Sequence, residues 1–358
     1  MNPVRHFAVL NCALISWVGL ANPVAAEVLS SAVGHNTIVC AGGSDTVVSV
    51  PFHRPPGIRS AVAGNPVVSA SSATISYQAE RILSEGELSD EPHYLRFTSG
   101  TRSGRSYSVS SHGPDSITIE VGDDDLAGVT SDDSFQVIPY WTLASLFPKE
   151  TQSTIHVSGG KLAPTRKSRV LFFDEVSQGF GLAPDQVYFL TAEGWFRSDR
   201  GFPAADDAII PPGKAFVVRH QADDLDTVFT PRHEVFRGDH SIALRTHSTG
   251  RQDNSAALVR PVPVKLSDLD LSSSFSDSAS TSAGNRSDEL LLYDNLTAGF
   301  NKPPATTYFK VAGQWHRDDG SSYPVADDDI ISPATGILIR KTNNPSGAIF
   351  HWLNTPRY

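Results

Sequence analysis

Aspartates are the most conspicuous candidates for chemistry in this chain. They gather in "GDDDLAG", "TSDDS", "AADDA", "QADDLD" and "VADDDI", and the pairs Asp206-Asp207 and Asp327-Asp328 each stand just ahead of an Ile-Ile step. Hard cations take several carboxylate and carbonyl oxygens at once, so one reading is a calcium site at each pair. The other is turn chemistry, in which an aspartate before a strand accepts backbone N–H bonds. None of the clusters has the alternating spacing of a calcium loop, and calcium is the only cofactor the residues suggest.

Two aromatic pairs form the second candidate set: Tyr188 with Trp195, and Tyr308 with Trp315. On an exposed sheet face they would stack on sugar rings, and two such faces would raise avidity without new contacts. The competing reading packs each tryptophan over its own sheet. His233, His240 and His247 recur across "HEVFRGDHSIALRTH", but Gly238 breaks any helix that would align them, and none is at the short spacing of a zinc motif. They are expected to be exposed histidines on loops and edge strands. "SGGK" at 158–161 matches one element of the penicillin-recognising enzymes without the others, and no nucleophile elbow, P-loop or dinucleotide fingerprint is present. No catalytic residue is assigned. The rival is a secreted glycan hydrolase, which needs two facing carboxylates; Asp123 to Asp125 are its candidates.

The elements that position these residues come twice. "VLFFDEVSQGFGLAPDQVYFLTAEGWFRSDRG" (170–201) runs parallel to "LLLYDNLTAGFNKPPATTYFKVAGQWHRDDGS" (290–321). Asp174 falls on Asp294, Gly179-Phe180 on Gly299-Phe300, Tyr188 on Tyr308 and Trp195 on Trp315. After a one-residue insertion, Asp206-Asp207 falls on Asp327-Asp328 and Arg219 on Arg340. Matches at turns, aromatics and strand ends together indicate a duplicated module. Two copies are too few for a solenoid.

Within each copy the grammar is β. "RVLFFD" and "ELLLYD" are apolar runs bounded by charge, as in strands buried on both faces. "YFLTAEGWFR" and "YFKVAGQWHR" read as hairpins, and "AFVVR" and "ILIR" as strands opened by turns. A fainter echo, "SDTVVSVPF" (44–52) against "GDHSIALRT" (238–246), suggests how each copy begins. The expected architecture is therefore mainly β, with two related β-sandwich-like modules in tandem. The first, 27–235, carries an inserted small β-barrel or meander at about 60–147, with strands near 94–98, 105–110, 116–121 and 134–139 and a short helix at "WTLASLF". The second, 236–358, carries a Ser/Asp-rich stretch at about 267–288 that is too poor in apolar residues to fold and is expected to be a mobile loop.

Bulk properties narrow the partners. "MNPVRHFAVLNCALISWVGLANPVAAEV" reads as a secretory signal peptide over residues 1–26, with a small-x-small site before Glu27. No later stretch is apolar enough to span a bilayer, so the product is expected to be secreted: periplasmic, cell-surface or extracellular. A net charge of -10 argues against nucleic acid, which demands cationic patches. Cys40, the one thiol beyond that leader, ends an apolar run and is expected to pack as a small hydrophobe. Asn285-Arg-Ser and Asn295-Leu-Thr match a glycosylation sequon.

Through "AGGSDTVVSVPFHRP", "SFQVIPYWTLASLFP", "ELLLYDN", "YFKVAGQWHR" and "IIPPGKAFVVR" the chain resembles a family of secreted, often paralogous bacterial proteins of no assigned activity. The resemblance covers most of the mature chain. It implies export and a β-rich fold and transfers no catalytic residue. Cys40, "ISPATG" in place of a Pro-Gly turn and the serine-rich stretch depart from it. The reading that results is an exported, non-enzymatic β-protein with a surface or extracellular binding or structural role, its partner a glycan or cell-envelope component.

Overall fold

The computed structural model describes residues 31–78, 82–173, 177 and 179–357. The expected signal peptide and Asp174 lie outside the described residues. The protein is mainly β, with several sheets and only one short α-helix among the described residues. No described helix is long and apolar enough to cross a membrane.

Two five-stranded antiparallel sheets share one strand order. The first runs Gly194–Arg197, Pro184–Thr191, Arg169–Phe173, Ala215–Arg219, Asp45–Ser49. The second runs Gln314–Asp318, Thr306–Val311, Glu289–Leu292, Gly336–Lys341, Gln252–Ala257. Both expected hairpins are present: Leu190 pairs with Trp195 and Lys310 with Trp315. The second turns through Ala312 and Gly313, both at positive φ, the geometry whose twist suits a two-residue hairpin. Val170 and Leu290 point into separate cores, one around Phe147, Trp195 and Phe216, the other around Phe275, Trp315 and Trp352.

By position in the sheet, the counterpart of Asp45–Ser49 is Gln252–Ala257. The sequence echo at 238–246 points elsewhere. His240–Arg245 instead pairs with Ile349–Asn354, as Ile38–Cys40 pairs with Thr227–Phe229.

A seven-stranded half-barrel lies between the first sheet's edge strand and its centre in the sequence. Ile117 and Ile119 fill its core while Thr118 and Glu120 face outward, the alternation their residue types require. Its two flanks meet at the bridge Val62–Tyr77. The helix Leu143–Leu146, opened by a Thr142–Ser145 capping box, belongs to the first sheet and not to the half-barrel. Phe147, just after it, packs on Trp195.

The Ser/Asp-rich stretch corrects the expectation of a mobile loop. Leu269, Leu271 and Phe275 are buried in the second core, and Phe275 meets Trp315 with ring centroids 4.9 Å apart. A fully buried ion pair, Asp288 with Lys341, fastens it: Lys341 also donates to the Ser274 carbonyl, and Asp288 accepts the Ser276 N–H. A few large residues, spaced to reach the core, suffice to order a serine-rich segment.

Candidate functional site

A cavity of about 510 Å³ lies where the outer faces of the two sheets meet. Alternate residues of each central strand point into it, because successive side chains of a strand face opposite ways. Phe173, Val217 and Pro184 come from the first half of the chain; Tyr293, Leu338 and Pro304 hold the matching places in the second. The walls are chiefly apolar. The charged groups stand at its ends.

Each end is built the same way. Asp45 accepts two bonds from Arg219, at 2.5 and 2.7 Å, and the N–H of Asn301 at 2.7 Å; its own N–H donates to the Gly299 carbonyl. Asp253 accepts two bonds from Arg340, at 2.7 and 3.0 Å, and the N–H of Gly181 at 2.8 Å; its N–H donates to the Gly179 carbonyl. The guanidinium of Arg219 lies 5.5 Å from the ring centre of Phe300, that of Arg340 5.1 Å from Phe180. Each half thus offers a Gly-Phe loop that caps the Asp–Arg pair of the other. Bidentate Arg–carboxylate bonds fix direction as well as distance, so the loops are held in register. The hydrogen bonds that Arg340 donates to Asp253, and the charge of that carboxylate, raise the pKa of Arg340.

The exchange continues along the edge strands. Ser49 donates to the Ala334 carbonyl, and Ala257 to that of Gly213. Asn295 takes both backbone groups of Val47, its Nδ2 donating to the carbonyl, so this sequon amide is already engaged. Lys302 also lines the cavity; its ammonium donates to the carbonyls of Asp294 and Thr297, and burial lowers its pKa.

The residues singled out in the sequence lie elsewhere. Trp195, Trp315, Tyr188 and Tyr308 are 1, 3, 5 and 6 % exposed. A sugar needs a free aromatic face, and these four have none to offer; the tryptophans are core residues over their own sheets, as the competing reading held. Asp206 and Asp327 accept the backbone N–H of Trp195 and Trp315, at 3.1 and 2.9 Å, which is turn chemistry. Asp207 is exposed, and Asp328 pairs with Lys265. No group of three metal-ligating side chains occurs among the described residues.

Asp124 is held by Arg102, Arg105, Tyr107 and the Leu126 N–H; these bonds outweigh its burial and keep its carboxyl well below the usual range. Such a carboxylate neither gives nor takes a proton in neutral solution. Cys40 is fully buried, and desolvation pushes its thiol up to about 11. The three histidines do not converge. His233 stands against Trp141 and His247 accepts the N–H groups of Thr249 and Gly250. His240, expected on the surface, is buried beside Phe236 with its pKa lowered to about 3, first by desolvation and then by Arg96.

In the sequence Gly179-Phe180 matches Gly299-Phe300 and Arg219 matches Arg340, with no local cause for either match. The reason is the reciprocal cap. No family model, curated protein or solved structure matches the chain.

Proposed function

We propose that the chain is an exported, non-enzymatic binding protein of two related β-sandwich-like modules in tandem, the first interrupted by the half-barrel, and that its ligand site is the cavity between them. The ligand is a compact, mainly apolar small molecule with polar groups at its ends, of the kind carried at a cell envelope or outside the cell.

The observation that carries this reading is the construction of the cavity. Its volume of about 510 Å³ falls among small-molecule sites, which are largely apolar with a few placed polar groups. Its walls come in matching pairs and its ends are two like Asp–Arg caps. A common strand order, corresponding ion pairs and the sequence repeat together support descent of both modules from one. The glycan hydrolase has no comparable support, since Asp124 is tied up by cations and both cavity aspartates by arginine and backbone N–H.

A titration with N-phenyl-1-naphthylamine, a neutral apolar dye, tests the site. Wild-type protein is expected to give a saturable rise in fluorescence with one dye per chain. Val217→Trp, which fills the cavity from its first wall, is expected to weaken the dye at least about tenfold, near 1.4 kcal/mol. Equal binding by a folded Val217→Trp protein would remove the reading.

A further inference from the structure

The two sheets differ at one charged position, and the difference points to a ligand. In the second sheet Arg286 lies over Phe309, its centre 4.4 Å from the ring, and its charge is met by Asp318 at 2.6 Å and Glu289 at 3.7 Å. Glu289 also accepts from Arg251 and stands 4.0 Å from Arg340. Two carboxylates thus sit among three guanidiniums.

In the first sheet the corresponding guanidinium is Arg166, likewise over its phenylalanine, Phe189, at 4.3 Å. The places of the two carboxylates are taken by Arg169 and Ser198. Arg166 bonds to Ser198 and to the Lys161 carbonyl, and no carboxylate reaches it among the described residues. Arg169 stands directly across the strand pair from Arg219, like charge against like, which destabilises a sheet. Its Nε is buried without a hydrogen-bond partner. Arg219 spends Nε and Nη2 on Asp45 and Asn301. Among the described residues, Asp199 is engaged with Arg197, and Asp223 and Asp224 with Lys167. Burial first, and then a neighbouring guanidinium, lowers the pKa of Arg166 and of Arg169.

We infer that Arg166 and Arg169, with Ser198 beside them and Arg219 behind, form a site for an external small oxyanion that occupies the place Glu289 and Asp318 fill in the second sheet. The inference rests on the correspondence of the two modules that the proposed function also uses, and it adds the chemistry at one end of the cavity, since Arg219 belongs to both. The second sheet serves as the internal control: the same fold places two carboxylates against Nη1 of Arg286 there, while Nε and Nη2 of Arg286 stay buried without hydrogen-bond partners, so the contrast between the sheets lies in the carboxylates themselves. Guanidinium forks suit a carboxylate, phosphate or sulfate alike. The shared oxyanion is the assignment.

The test is calorimetric titration of the full chain with inorganic phosphate, then acetate, at constant ionic strength set by sodium chloride. Saturable binding at one site is expected, with a matching rise in Tm. Arg169→Glu restores the second sheet's residue; it is expected to abolish the binding and to raise Tm in anion-free buffer. Ser198→Asp, which supplies the other carboxylate, is expected to weaken phosphate at least about tenfold. Absence of saturable binding by wild type, or unchanged binding in both variants, overturns the site. The naphthylamine dye separates the two readings: Arg169→Glu leaves it bound, and Val217→Trp leaves phosphate bound.

Discussion

Asp45 and Asp253 are the residues on which the join between the two halves turns. Each is nearly buried, with 9 and 7 % of its side chain exposed, and each satisfies an arginine fork and a backbone N–H from the opposite loop. Removing one member of such a pair leaves the other charge stranded, at a cost of about 3 kcal/mol. Asp45→Ala and Asp253→Ala are therefore expected to destabilise the protein by similar amounts in urea unfolding. A large loss in one and none in the other would show that the two caps are not alike. A contrasting pair of corresponding positions is Asp288 with Lys341 and Ser168 with His220. The first is ionic; in the second Ser168 bonds Nδ1 and Thr227 bonds Nε2 of a neutral imidazole, at 2.7 Å each. One buried slot accepts either a charged pair or a neutral one, provided every polar atom has a partner.

Among the elements, the two edge strands carry the most information. An uncovered edge invites pairing with other chains, and here each is covered by backbone and side chains from the other half. The approach is close enough to demand glycine at 336. A Cβ there would lie 2.5 Å from Val47 Cγ1 and 2.7 Å from the Ala215 Cβ. Gly336→Val is expected to cost about 1 to 3 kcal/mol and to loosen the cavity, read as a lower urea midpoint and weaker dye binding.

The central strands and hairpins were legible in the sequence because their apolar runs and turn residues follow the β period. The edge strand Gln252–Ala257 was not. "QDNSAA" looks like a loop by residue type, and it is a strand only because its polar side chains find partners in other segments. Ile58–Ala61 and Ser72–Ser76 were missed for a related reason, since their serines sit where a half-buried strand tolerates polarity. The site itself left a partial trace: the Gly-Phe and arginine matches were visible, but the partner aspartates are fixed by contacts 72 to 256 residues away along the chain.

At the scale of the molecule, acid is expected to be the vulnerable direction. His53 and His220 are pushed down to about 4 and His240 to about 3, in each case chiefly by burial; for His53 and His240 the next cause is Arg96, and for His220 it is His156. These groups stay neutral in the folded chain while the unfolded chain titrates near 6.5. Their contribution is whole above pH 6.5 and drains as pH falls toward 4, at up to about 1.4 kcal/mol per pH unit for each histidine. His53 and His240 flank Phe236, over which Arg96 of the half-barrel lies at 4.9 Å. Denaturant melts from pH 7 to 4 should show this fall, and His220→Gln should reduce its slope by the share of one histidine in three. Stability unchanged down to pH 4.5 would count against neutral burial.

The reciprocal caps also set an order of events for a nascent chain. Asp45 leaves the ribosome early and must wait for Asn301, 256 residues later, before its backbone partner exists. Contacts that distant make folding slow. Until the last quarter of the polypeptide has emerged, the front half is a finished sheet with an open flank and a greasy wall, which makes it a natural client for a holding chaperone.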